Sequence, residues 1–181
     1  MRPLSVVVCL LLAGTPAVAQ EIDSYAHVRS ESRDIRALIR NSAERSPTVR
    51  ALLEEIDRSD MIVYVSLRTF SSQMLDGRIG FIAGSRGGRL LAIELSCPRT
   101  RDAQIATLAH ELHHAVEIAR APWVVGADTL ARYYETIGIA ADSATDRRTF
   151  ETDGARQTAL RVRREIAAPP PAITNLSEQR R

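Results

Sequence analysis

Lysine is absent from this chain: all 24 basic side chains among its 181 residues are arginine, which is what GC-rich coding produces and carries no mechanism. Against 22 acidic residues they leave a net charge of +2. That is no charge excess of the kind that holds nucleic acid or an anionic membrane surface, so neither is expected as a partner. Long apolar runs are missing too. The ten residues from Leu4 to Ala13 fall far short of the about 20 a helix needs to cross a bilayer, so no membrane span is expected. Cysteine is nearly absent, with only Cys9 and Cys97. The remaining composition, 45% hydrophobic and 25% charged, is ordinary globular usage. It excludes disorder, collagen and coiled coil as descriptions of the whole, and the length suits one domain.

The apolar run has a clear reading of its own. A single positive charge at Arg2 precedes it, and Ala17-Val18-Ala19 supplies the small-x-small pattern of a cleavage site. Residues 1–19 are therefore expected to be a signal peptide, and the product to be secreted or periplasmic. Cys9 would leave with the leader and Cys97 would have no partner, so no internal disulfide is expected. Residues 20–168 read as a single domain. Pro169-Pro170-Pro171 should end it, leaving a Pro-rich disordered tail to residue 181, where the Asn175-Leu176-Ser177 sequon is incidental.

Within the domain, apolar spacing predicts a helix within 23–42 and a second from Ser46-Pro47 to about residue 58, Ser capping and Pro preorganised at the first position. Strands follow at 61–67, 78–83 and 89–96. The last two are joined as a hairpin through Gly84-Ser85-Arg86-Gly87-Gly88, which lacks the Lys-Ser/Thr and helix of a phosphate cradle. Helices are then expected at 102–120, 128–137 and 148–167.

The chemistry concentrates in five residues. Of four histidines in the chain, three lie in His110-Glu111-Leu112-His113-His114. Positions 110, 111 and 114 form His-Glu-x-x-His, the zinc-hydrolase motif. The pattern arises by chance in roughly one chain of this length in two hundred, so context has to decide. On a helix, imidazoles four residues apart share one face and can meet one zinc ion. Leu108, Leu112, Ala115, Val116 and Ala119 fall on the opposite side, toward a core, while Ala103, Ala106 and Thr107 flank the histidines with small side chains that leave room for a metal and substrate. Glu111, about 100° round from His110, can act as general base without ligating the metal. His113 and Glu117 are placed as supporting or cleft-lining residues.

Catalytic zinc takes three protein ligands and one water. Downstream, Glu135 and Glu151 both lie at distances that suit a helix returning across the cleft. Glu151 is favoured, since an acid in a helix's first turn is well placed and Asp153 could orient it. Glu135 comes next, with Asp153 behind them. Cys97 reads as a buried structural thiol.

His110-Glu111-x-x-His114 with a later helical glutamate resembles the gluzincin branch of zinc metallopeptidases, the thermolysin-like group. Metzincins differ, because Glu117 and Arg120 occupy the places of their Gly and third ligand. The resemblance runs from about Met61 to Ala167. It implies an α+β, zincin-like fold in which a small antiparallel sheet of about three strands packs on helices and the motif rides on a central helix. It further implies Zn2+ held by His110, His114 and Glu151, with Glu111 as base. A peptide or protein substrate would lie extended along an edge strand, either 89–96 or 61–67. Tyr133, Tyr134 and His113 are the candidate oxyanion donors. The alternative is a non-catalytic exported binding module with a structural or vestigial zinc site; a zinc-free domain with coincidental histidines comes third.

Overall fold

The computed structural model describes residues 25–72, 75–85, 87–97, 99–141 and 149–168. The expected leader 1–19 and tail 169–181 lie outside them. The described chain is α+β: five helices, a four-stranded mixed sheet and a separate two-stranded ribbon. A short strand β1 (Val28–Arg29) leads into helices α1 (Arg33–Arg45) and α2 (Pro47–Asp57). Then come β2 (Met61–Arg68), β3 (Gly77–Ser85) and β4 (Gly88–Ser96), followed by α3 (Arg101–Ala119), α4 (Ala127–Ile137), the ribbon β5 (Ile139–Ala141) and β6 (Thr149–Glu151), and α5 (Asp153–Ala167).

The helix starts follow from local capping. Ser46 accepts from the Val49 N–H ahead of Pro47, Thr100 from Ala103, and Thr152 from Ala155, each satisfying an orphan donor of the first turn. Strand β2 alternates as its sequence alternates: Met61, Val63 and Val65 are buried while Tyr64 and Ser66 are exposed.

The sheet is not the antiparallel one expected. Its order is β1-β2-β4-β3, with β2 parallel to both β1 and β4, and only β3–β4 antiparallel. The reason is burial. Leu91, Ile93 and Leu95, beyond the buried Arg89, give β4 an apolar inner face, and it takes the interior position; β3, half-exposed along its length, is left at the edge. Of the two strands expected to form the substrate edge, 89–96 is interior and 61–67 is covered by β1 only at Val63 and Tyr64; β3 is the edge strand on the opposite side of the sheet.

Helix α3 packs between the sheet strands β3 and β4 on one side and α2 and α5 on the other. Ile105, Leu108, Ala109, Leu112, Ala115 and Ile118 all have no exposed surface. The helix is thus covered on far more than the one face its spacing marked. Arg89 anchors its C-terminus. The buried guanidinium donates to the carbonyl oxygens of Ile118, Ala119, Ala121 and Val124 and pairs with Asp60. No described helix is long and apolar enough to cross a membrane.

Candidate metal centre

His110, Glu111 and His114 sit in the second half of α3, and Glu151 ends β6. Glu151 is not in a helix's first turn as expected. Thr152 takes the cap of α5, and Phe150 is held back in the ribbon by pairing with Ala140 and stacking on Tyr134. The result still carries Glu151 to the histidines. His110 Nε2 lies 3.2 Å from His114 Nε2 and 3.3 Å from Glu151 Oε1, and the three ligand atoms all fall within 4.8 Å of one another. Tetrahedral zinc with bonds of about 2.0–2.1 Å places its ligand atoms about 3.3 Å apart, so both measured spacings fit one cation. Two imidazoles and a carboxylate are also the borderline donor set that zinc takes in open sites. Glu135 is exposed and outside this group, and Asp153 points to solvent beside Arg156.

The orientation of the His114 ring supports the same reading. Its Nδ1 lies 2.8 Å from Glu117 Oε2, and a carboxylate only accepts, so Nδ1 is the donor there and Nε2 is the nitrogen turned toward His110. Burial works to lower the pKa of His110, but the hydrogen bond it donates to Glu151 and the charges of Glu111, Glu151 and Glu117 outweigh it and raise the value. Burial acts to raise Glu151, and its pairing with His110 more than reverses that, so its carboxyl is held below the usual range. Glu111 moves the other way. It is only 5% exposed, and burial, helped by the Glu151 charge and opposed by both histidines, raises its pKa.

His110, Glu111, His114 and Glu151 open onto one cleft of about 590 Å³ between β3 and α4. Ile79, Phe81, Leu130, Tyr134 and Phe150 give it apolar walls, and Arg78 and Glu94, hydrogen-bonded to each other, lie along it. The room comes from this gap and not from the small residues one turn upstream. Ala106 is fully buried, and Thr107 packs against β3, where a Cβ on Gly77 would sit 2.5 Å from its methyl and 3.0 Å from Glu111 Oε1.

The three oxyanion candidates are all engaged elsewhere. His113 faces α5, with Thr158 Oγ1 3.0 Å from its Nδ1 and Gly154 packed on its Nε2. Tyr133 donates to the Glu117 carbonyl, and the Tyr134 hydroxyl lies 3.3 Å from both Glu117 Oε2 and the His114 carbonyl. Of these only Tyr134 lines the cleft. Glu117, placed in support from sequence, is a hub with four donors around its carboxylate; burial acts to raise its pKa, but the hydrogen bonds from His113, His114 and Thr152 hold it far below the usual range. Thr152 and Gly77 were not anticipated. Thr152-Asp153-Gly154-Ala155 carries a capping signal that places the threonine at a helix start, whereas nothing local marks Gly77. Cys97 is exposed, not buried, because the chain leaves the sheet at Ser96.

No protein-family profile, curated protein or solved structure matches this chain.

Proposed function

We propose that the chain is an exported zinc-dependent hydrolase of zincin-like fold, a metallopeptidase of the gluzincin type acting on peptide or protein. The observation that carries this is the convergence of His110 Nε2, His114 Nε2 and Glu151 Oε1 beside a buried carboxylate that is not part of the group, all on one cleft. Zinc held by these three residues would lower the pKa of water toward about 7 and polarise the scissile carbonyl.

The chain's own residues supply the rest. Glu111 accepts the proton of the attacking water and returns it to the departing amine; its raised pKa brings it closer to the working pH, where a base that must also act as acid is most effective. The open edge of β3 offers backbone donors and acceptors to an extended peptide. Gly77 and Gly80 keep that strand free of bulk where the cleft passes it. Apolar walls exclude water around the reacting groups.

The alternative, a binding module with structural zinc, calls for a closed set of four protein ligands. The group among the described residues has three, which favours an open position and catalysis. Elemental analysis of the purified chain, paired with a quenched-fluorescence peptide library, tests the proposal. About one zinc per chain, lost in His114→Ala, and hydrolysis that a chelator stops and zinc restores are expected. Zinc-free protein at neutral pH would end it; stoichiometric zinc with no hydrolysis of any peptide would favour the binding module.

A further inference from the structure

The most heavily bonded side chain near the centre is neither one of the three converging ligands nor the base. Glu117 lies one turn beyond His114, with its side chain 13% exposed. Its Oε2 is 2.8 Å from His114 Nδ1 and 3.3 Å from the Tyr134 hydroxyl. Its Oε1 is 2.8 Å from Thr152 Oγ1 and 3.5 Å from His113 Nε2. The direction of the Thr152 bond is unambiguous. The hydroxyl accepts the Ala155 N–H as helix cap, and its own proton goes to Glu117.

One carboxylate therefore touches both halves of the centre. On α3 it holds the second histidine; across the gap it holds the residue next to Glu151, at the junction of β6 and α5. We infer that Glu117 is the positioning residue of this centre: it locks His114 with Nε2 free and, through Thr152, ties the strand end bearing Glu151 to the motif helix. The inference rests on the metal-centre reading above. Free imidazole prefers no such orientation, and Glu151 sits on a three-residue strand, so neither ligand is fixed by its own element alone.

The test is zinc affinity by chelator competition on the full chain, with circular dichroism and thermal unfolding of each variant alongside. Glu117→Gln keeps the size but cannot accept from both sides, and its affinity should fall about 10–100-fold with secondary structure unchanged. Thr152→Val should weaken binding and Thr152→Ser restore it. A role in stability alone would lower the melting temperature and leave affinity per folded molecule unchanged, and that result would overturn the inference. Should Glu117→Gln not fold, nitrogen-resolved NMR of the zinc-loaded wild type decides. A slowly exchanging His114 Nδ1 proton is expected, and rapid exchange with solvent would refute the bond. The two levels separate cleanly. Wild type that takes up no zinc, or His114→Ala that binds as wild type does, sinks the metal centre itself and this inference with it. Normal zinc in wild type together with normal affinity in Glu117→Gln sinks only the inference.

Discussion

Replacing Glu111 with Gln should push activity and stability in opposite directions. The side chain is 5% exposed, and its carboxyl lies against β3, where Gly77 leaves room for nothing larger than hydrogen. Burial, with the Glu151 charge adding to it and both histidines opposing it, raises its pKa in the folded chain. The sign follows. A carboxylate with a folded pKa above its unfolded value of about 4.3 is worse off charged in the folded state, so it costs nothing at lower pH, and the cost grows as pH rises toward the folded value. Across that interval the slope is up to about 1.4 kcal/mol per pH unit. Glutamine is neutral throughout and of the same shape. The metal-free variant should therefore match wild type near pH 4 and melt higher at pH 8, at about 2–4 °C for each kcal/mol in a chain of this size. Hydrolysis should meanwhile fall by about 10²–10⁴, the usual contribution of a general base, with zinc content unchanged. Thermal unfolding of chelator-treated protein from pH 4 to 8, with peptide turnover of the zinc-loaded form, measures both. Retained turnover would refute the catalytic role. A variant less stable than wild type at pH 8 would show that the carboxylate is held by favourable bonds, contrary to the burial argument.

Zinc affinity should be level at high pH and fall about tenfold per unit once pH drops below the raised His110 pKa, since the proton and the metal compete for Nε2 while Glu151 stays ionised; competition titrations from pH 5 to 8.5 measure it, and a pH-independent affinity would contradict the assignment. In the metal-free chain the protonated His110–Glu151 pair adds stability that is complete below about pH 6.5 and lost as pH rises through the His110 value, so the melting increment from added zinc should grow over the same window. Arg89→Met leaves the last carbonyls of α3 and that of Ala121 without their donor and should cost about 1–3 kcal/mol, a drop of roughly 2–12 °C in melting temperature by scanning calorimetry. Gly77→Ala puts a methyl 2.5 Å from Thr107 Cγ2 and 3.0 Å from Glu111 Oε1, and should lower turnover at least tenfold while zinc stoichiometry holds; normal turnover would show that β3 yields there without moving the base.

Much of this was legible one residue at a time, and the exceptions share a cause. Ser46-Pro47, the alternation of β2 and the histidine spacing on α3 are local signals, decided by dihedral preference and the period of a helix or strand, and each element formed close to where its residues placed it. Glu151, the acid favoured from sequence, does lie beside the histidines, but not from a helix's first turn: it reaches them from the end of a strand whose partner, β5, leaves little trace in three residues of sequence. The parallel pairing of β2 with β4 was likewise unreadable. A run of apolar residues states that a strand is buried without stating beside which neighbour or in which direction, and hydrogen-bonding competition among three strands settles both.

The divide falls between one turn of helix and everything outside it. Two imidazoles and a carboxylate in register are properties of a five-residue word, because a helix repeats every 3.6 residues wherever it is found. The third oxygen, the glycine that admits the base and the threonine that ties Glu117 to the strand end depend on contacts between residues about 35 to 40 positions apart, whereas Glu117 and the histidine it aims are neighbours on one helix. Such contacts are set by how α3 is enclosed between sheet and helices, and no local pattern encodes that enclosure.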